Sequence, residues 1–245
     1  MNCKGDEWFR GWFDSKYYHL LYQHRDENEA QNFLQRLVKH IVLPSGASII
    51  DLGCGKGRHS VSLHDLGFTV CGIDLSKESI AIARQKETEG LSFDVQDMRL
   101  FKVDQPVNCV MNLFTSFGYF DNEEDNILVI QHVHEALKVG GYFVIDYFNS
   151  DLVQNCDGFS QSITIQDICF KIYKRVESNR IIKTIDVEDN GQHLHFEEKV
   201  QLFGKDQLSQ MLIAQDLEPI ATFGDYKLNP FEVSSSDRLI IIAKK

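Results

Sequence analysis

The sequence predicts an α/β fold: a mostly parallel sheet covered by helices on both faces, with a small antiparallel block inserted late. Three observations carry this. Between residues 47 and 148, short apolar stretches alternate with stretches of helical period, and strands apolar along their whole length lie in sheets buried on both faces. Between residues 163 and 203 the pattern changes to longer, half-polar stretches separated by turn signals, the mark of antiparallel strands. The length of 245 residues fits one large domain, or one domain with an insertion, at about 150 residues per domain.

Composition narrows the classes. Hydrophobic residues make up 43% and charged residues 25%, which excludes a disordered chain. At this size roughly three-quarters of the unfolded surface can be buried, so no disulfide or metal staple is needed. The net charge of −11 repels phosphate backbones and anionic lipid, so nucleic acid is a poor partner. No apolar run approaches a membrane span, and residues 1–8 lack the apolar core of a signal peptide. The six cysteines, Cys3, Cys54, Cys71, Cys109, Cys156 and Cys169, form no CxxC pair, so no metal site is expected. A reduced, cytoplasmic protein is the simplest reading.

Each element follows in order. Residues 1–25 hold Trp8, Phe9, Trp12, Phe13, Tyr17, Tyr18 and Tyr22; they read as a helix packed on the body or as a lid over a pocket. Ala30, Phe33, Leu34, Leu37, Val38 and Ile41 form a helical stripe. Asp26 with Glu29 makes a capping-box-like start, and Pro44 with Gly46 ends the helix. Strands are expected at 47–52, 69–75, 92–96, 107–114 and 142–148. Helices are expected at 57–66, at 76–86 with Ser76 as cap, and at 121–138 with Asp121 and Glu124 as capping pair. Gly140-Gly141 would stop the last of these. The antiparallel block reads as 165–176, 180–188 and 193–203. Asp189-Asn190-Gly191 is its strong hairpin signal and Ser178-Asn179 a weaker one. Leu208, Met211 and Leu212 mark a further helix, and 217–226 and 238–244 are the last strands.

The chemistry-bearing feature follows the first strand. Ile49-Ile50-Asp51-Leu52 runs into Gly53-Cys54-Gly55-Lys56-Gly57, and Arg58-His59 opens a helix. Glycines let backbone approach a ligand closely, and a helix start presents free N–H groups. Asp74 ends the second strand, 19 residues beyond Gly55, where a carboxylate suits a ribose diol. The spacing is G-x-G-x-G rather than the dinucleotide G-x-G-x-x-G. Asp51 at the strand tip would repel a pyrophosphate and attract an ammonium. S-adenosylmethionine carries an ammonium and no phosphate.

The segment Asp51-Leu52-Gly53-Cys54-Gly55-Lys56-Gly57 resembles motif I of class I S-adenosylmethionine-dependent methyltransferases. Gly72-Ile73-Asp74-Leu75-Ser76, Gln96-Asp97-Met98, Met111-Asn112-Leu113-Phe114 and Leu137-Lys138-Val139-Gly140-Gly141 resemble their later motifs in the same order. The resemblance covers about residues 45–150. It implies a three-layer Rossmann-like, seven-stranded sheet, mostly parallel with a reversed final strand. It divides a single methyltransferase domain into an N-terminal helical cover (1–44), a cofactor-binding core (45–150), an antiparallel insertion (151–204) and a C-terminal helix with strand pair (205–245). It also implies roles. Asp51 would sit near the methionine ammonium, directly or through water. Gly53, Cys54, Gly55 and Gly57 would form the cofactor turn, and Asp74 would bind the ribose hydroxyls. Leu75 would pack on adenine, and Asp97 would accept from its amino group beside the Met98 backbone. Asn112 and Phe114 would line the sulfonium end. Leu75 and Met98 also read as plain core, and Asp97 as a loop cap.

The acceptor is less legible. Asn112-Leu113-Phe114-Thr115 lacks the Pro-Pro signature of amino-methylating DNA and glutamine enzymes, and Cys109 lacks the Pro-Cys context of cytosine enzymes. Both absences disfavour DNA. Small-molecule methyltransferases of this family often carry an N-terminal helical cover and antiparallel strands inserted after the fifth strand, so the resemblance, with the insertion site and the aromatic content, implies a small-molecule acceptor and in-line methyl transfer. Phe117, Tyr119 and Phe120 are the expected pocket lining, and Tyr18 and Tyr22, one helical turn apart, would close over the sulfonium. No catalytic base is assigned. His134 reads as a buried structural histidine, His59 as orienting the loop or helix start, and His193 and His195 as surface residues. The alternatives are a nicotinamide-dependent oxidoreductase and a non-catalytic S-adenosylmethionine-binding module.

Overall fold

The computed structural model describes residues 8–22, 27–153 and 158–245. Asp26, Cys3 and Cys156 lie outside them. The strands in chain order are β1 Ser48–Leu52, β2 Thr69–Asp74, β3 Leu91–Val95, β4 Val107–Asn112, β5 Leu137–Phe148, β6 Ser160–Ile165, β7 Ile168–Glu177, β8 Arg180–Asp189, β9 Gln192–Gln201, β10 Glu218–Phe223 and β11 Arg238–Lys244. Seven of them form one sheet in the order β10-β11-β5-β4-β1-β2-β3. All its pairs are parallel except that β11 runs antiparallel to both β5 and β10. The expected seven-stranded architecture with one reversed strand is present. The strands are apolar on both faces because helices cover both.

One face packs on α3 (Glu27–His40), α4 (Arg58–Asp65) and α5 (Lys77–Ala83). There Phe33, Leu34, Leu37, Leu63 and Ile80 meet Ile49, Val70, Met111 and Ile240. The other packs on α6 (Glu123–Ala136) and, later in the chain than the short α7 (Ser150–Val153) directly after β5, on α8 (Lys205–Ile213). There Val129, Ile130, Val133, Leu208 and Leu212 meet Ile50, Leu52, Val110 and Ile145. The alternation of Ile49 with Ile50 and of Val110 with Met111 between the two cores is the period-two signature of a strand.

β6 to β9 form a separate four-stranded antiparallel sheet. Each of its hairpins turns on two residues of positive φ: Gln166-Asp167 (49° and 66°), Ser178-Asn179 (50° and 60°) and Asn190-Gly191 (50° and 79°). Those paired positive angles are what a type I′ turn requires. The N-terminal residues make two short helices, α1 (Trp8–Phe13) and α2 (Lys16–Leu21, capped by Ser15). They dock on this second sheet. Trp12 is 1% exposed and packs at 4.7 Å on Phe196, and its Nε1 donates to Glu198 Oε1 at 2.7 Å. Lys16 Nζ and Tyr17 OH both donate to Asp189 Oδ2, at 2.8 and 2.9 Å.

Several expectations are corrected. The insertion has four strands rather than three, because β6 pairs through Gln166-Asp167. The cap of α6 is Asn122, whose side chain accepts from Asp125 N, while Asp121 pairs with Arg180. That helix ends at Ala136, and Gly140-Gly141 lies within β5, whose first residue, Leu137, already pairs with Val107. His134 is half-exposed rather than buried, and its carbonyl accepts from Lys245 Nζ. His193 and His195 are exposed, as expected.

Removing the Trp12 anchor tests the docking of α1. Trp12→Ala is expected to lower the unfolding free energy by about 3–5 kcal/mol, the cost of emptying a large aromatic site. Urea denaturation reads this, and a loss near zero would mean that α1 does not pack on the antiparallel sheet.

Candidate cofactor and acceptor site

The turn after β1 is built by hydrogen bonds to the next strand. Gly53 N and Cys54 N donate to Ile73 O at 2.7 and 3.0 Å, and Gly55 N donates to Asp74 Oδ2 at 2.8 Å. Gly53 (φ 80°) and Gly55 (φ 54°) are left-handed, a region other residues enter only at a cost. A Cβ on Gly53 would stand 2.6 Å from Ser116, whereas one on Gly55 would meet nothing within 4 Å. The open space beside Gly55 belongs to a cavity of about 380 Å³ at the carboxyl edge of the sheet, where parallel sheets place ligands.

Two acids lie on its wall. Asp74 accepts from Gly55 N and from Ser76 N (2.8 Å each), and its burial raises its pKa against those bonds. Asp97 is gripped by Arg99, from Nε at 3.0 Å and Nη2 at 2.6 Å. Arg99 in turn reaches Asp125 at 3.0 Å and lies over the Phe120 ring at 4.6 Å. Lys56, Arg58 and Lys86 give the cavity cationic groups. Phe9, Phe13, Tyr18, His19 and Tyr22 bring the two N-terminal helices onto it. Asp14, between those helices, accepts from Ser76 Oγ at 2.6 Å and so ties the cover to the start of α5.

A second cavity of about 190 Å³ shares Phe13, Tyr18, Tyr22, Phe114 and Tyr119 with the first. Its far side comes from the antiparallel sheet through Lys174, Ile181, Lys183, Glu198 and Val200. The dividing Phe114 ring is fixed on both sides, stacked with His59 at 4.8 Å and with Tyr226 at 4.9 Å. Phe114 and Thr115 are themselves left-handed, with φ of 55° and 61°, a strained arrangement for such side chains. Asp146 holds them: its carboxylate accepts from Phe114 N (2.8 Å) and its carbonyl from Thr115 N (2.9 Å). The same carboxylate takes Arg238 Nε at 2.8 Å and Tyr226 OH at 3.2 Å.

Twelve of the sequence candidates meet at the first cavity: Tyr18, Tyr22, Gly53, Cys54, Gly55, Asp74, Leu75, Asp97, Met98, Phe114, Tyr119 and Phe120. Four do not line it. Phe117 is fully buried between Tyr147 and Phe203 and belongs to the core instead of a pocket. Gly57 is the left-handed cap of α4, pressed against Phe93. Asn112 lies behind the turn, donating to Leu52 O at 2.9 Å, and its Oδ1 is buried with no partner among the described residues. Asp51 is 1% exposed and accepts from Ser60 Oγ at 2.6 Å; burial pushes its carboxyl up to about 6. His59, read as orienting the loop, is a buried wall residue.

Phe9, Phe13, Lys174, Lys183 and Glu198 were not singled out as site residues by the motifs. For the strand residues a signal exists: each is a charge at an apolar position of a period-two strand, as in Leu194-x-Phe196-x-Glu198-x-Val200.

The site fits an adenosyl amino acid. It offers acids for hydroxyl and amino donors, an open glycine face, and cationic groups for a carboxylate. His19, on the cavity wall, also has Nε2 buried without a partner among the described residues. Comparison with known proteins agrees. The methyltransferase-domain family matches residues 43–212. YqeM of Bacillus subtilis, which carries a methyltransferase assignment, is 35% identical over 111 residues, 44% of this chain and 45% of that protein. It and the next two curated relatives are matched over only about half their length (45%, 56% and 45%). The glycine/sarcosine N-methyltransferase of Aphanothece halophytica is 25% identical over 98% of this chain and 90% of its own. The CcbJ methyltransferase of Streptomyces caelestis superposes with a TM-score of 0.81 at 17% identity, covering 98% and 99% of the two chains. With the glycine turn, the acid after β2 and the reversed strand order already in place, the match over residues 43–212 makes this chain a member of the methyltransferase-domain family, in the class I S-adenosylmethionine-dependent superfamily.

Proposed function

We propose that this protein transfers a methyl group from S-adenosylmethionine to a small amine acceptor. The observation that carries the reading is the pair of adjoining cavities: a larger one on the glycine turn and its acids, a smaller one beyond the aromatic wall. Near-complete alignment with a glycine/sarcosine N-methyltransferase supports nitrogen as the accepting atom. S-adenosylmethionine, when bound, supplies a methyl group already activated by its sulfonium. The chain's own part is then mostly binding and orientation, which can supply much of such a rate.

In this reading Asp74 holds the ribose hydroxyls and Asp97 the adenine amino group, each with acceptor capacity beyond its present bonds. Leu75 and Met98 flank the base, and the Gly53 and Gly55 backbones pass along the amino acid part. Arg58 and Lys56 suit its carboxylate. Asp51, beneath the turn, favours its ammonium through the field of a buried carboxylate rather than by lining the cavity. Phe114, Tyr18, Tyr22 and Tyr119 separate the two ligands' spaces and exclude water. The nicotinamide reading is disfavoured because Asp51 lies beneath the turn where a pyrophosphate would lie, and the glycines are spaced G-x-G-x-G rather than G-x-G-x-x-G. The non-catalytic module is disfavoured by the second cavity. Among the described residues no helix is long and apolar enough to cross a membrane. A cytoplasmic setting is part of the proposal, as is the lack of a nucleic-acid partner, on the net charge of −11.

Calorimetric titration tests the reading. S-adenosylmethionine and S-adenosylhomocysteine are expected to bind and the nicotinamide cofactors are not; the reverse would refute it. Asp74→Ala is expected to weaken S-adenosylmethionine binding by about 1–3 kcal/mol, the worth of charged hydrogen bonds. Unchanged affinity in a folded variant would remove Asp74 from the site.

Asp51 gives a pH-dependent test. Its folded-state pKa lies above its unfolded value, so the folded chain binds the extra proton and stability falls as pH rises from about 4 to about 6. Asp51→Asn escapes that loss. Relative to wild type it should gain about 2–3 kcal/mol in urea unfolding between pH 4 and pH 7.5. A constant difference across that range would contradict the buried carboxyl.

A further inference from the structure

We infer that the smaller cavity selects an acceptor carrying a carboxylate, and that Lys174 receives it. The inference rests on the methyltransferase reading and adds the acceptor's chemical class.

It starts from the inner face of the antiparallel sheet. That face presents Phe170 and Ile172 on β7, Ile185 and Val187 on β8, and Leu194 and Phe196 on β9, packed under the N-terminal helices. At one end of that face Asp189 is matched by Lys16 and Tyr17, and at the cavity end one full rung breaks the apolar pattern. Lys174 lies directly opposite Lys183, and Lys183 directly opposite Glu198. All three line the smaller cavity. Charge on an otherwise apolar face is costly unless partnered, so each member needs an account.

Glu198 and Lys183 are accounted for by each other. They are 16% and 15% exposed and stand 3.3 Å apart. Glu198 also accepts from Trp12 Nε1 and from Tyr22 OH, both at 2.7 Å, and Lys183 contacts the Tyr22 hydroxyl. This pair closes on itself and ties the cover to the sheet. Lys174 is different. It is half-buried, it has no carboxylate partner among the described residues, and its ammonium lies over the Phe159 ring at 4.9 Å. Two lysines directly opposite each other destabilise a sheet pair.

The cavity therefore carries one surplus positive charge on a wall of aromatic and aliphatic groups. A monoanion relieves the lysine–lysine repulsion and gains a charge-assisted hydrogen bond. A single surplus charge suits a carboxylate better than a dianionic phosphate. With its carboxylate at Lys174, a small amino acid would present its amine toward Tyr18, Tyr22, Phe114 and Tyr119, the wall shared with the larger cavity.

The test pairs acids with their amides. Methyl transfer from S-adenosylmethionine is followed with glycine and glycinamide, β-alanine and β-alaninamide, and 4-aminobutyrate and its amide, with O-phosphoethanolamine as the phosphate arm. At least one acid is expected to exceed its amide in kcat/KM by about tenfold, one charged hydrogen bond's worth, through a lower KM. Lys174→Met should collapse that acid-to-amide ratio to near one, and Lys174→Arg should keep it. Calorimetry of the same acids and amides into the S-adenosylhomocysteine-loaded protein reads the preference without turnover.

Equal use of acids and amides, a preference for O-phosphoethanolamine, or a ratio unmoved by Lys174→Met would overturn the proposal. So would loaded protein that binds no acid more tightly than its amide. Those outcomes leave the methyltransferase reading standing, whereas failure to bind S-adenosylmethionine at all overturns both.

Discussion

The site is organised around one buried ion pair. Asp146, fully buried in β5, faces Arg238 at the start of the antiparallel strand β11. Its oxygens also hold the backbone of Phe114 and the hydroxyl of Tyr226, while Arg238 reaches Thr115 Oγ1 at 2.9 Å. One carboxylate thus stitches the reversed strand to its neighbour and pins the strained turn after β4. Without it the left-handed Phe114 and Thr115 would relax toward ordinary backbone. The Phe114 ring would then leave its place between His59 and Tyr226, and the partition between the two cavities would be lost. Breaking such a pair leaves an uncompensated buried charge.

The second constraint is topological. The carboxyl edge of a parallel sheet is open by construction, and this chain closes it from outside. The N-terminal helices reach the cofactor side through Asp14 and Ser76, and the antiparallel sheet through Trp12, Tyr17 and Tyr22. The cover therefore depends on both sheets. The insertion between β5 and α8 supplies the far wall of the smaller cavity as well as the surface on which the cover rests. The wall of the smaller cavity and the seat of the cover share residues, most directly Glu198 and Lys183.

Much of the core was legible because its signals are local. Continuous apolar strands, the Ala30 to Ile41 stripe and the Ser76 cap each require only nearby residues, and they hold in the fold. The misses have physical reasons. Asn122 outcompeted Asp121 as a cap because both fit and only the backbone decides. β5 begins at Leu137 because a register irregularity between Val107 and Cys109 lets the strand pass Gly140. β6 carries a Ser-Gln-Ser start and is an edge strand with few buried side chains, so it lacked a signature. In the site, the placement of Asp74, Gly53 and Gly55 on the cavity wall was readable because strand, turn and helix follow in sequence. Phe117 failed because hydrophobicity cannot tell pocket lining from core. Lys174, Lys183 and Glu198 are each a charge at an apolar position of its strand, but that they form one rung was not legible, because the rung exists only once three strands pair.

The central claim is that the larger cavity holds S-adenosylmethionine and the smaller one its acceptor. A crystal structure with S-adenosylhomocysteine tests it most directly. The account places the nucleoside against Asp74 and Leu75, the amino acid part along Gly53 and Gly55, and the sulfur facing the Phe114 and Tyr119 wall, with the smaller cavity left for a second ligand. Density that occupies the smaller cavity instead, or that runs away from the glycine turn, would contradict it.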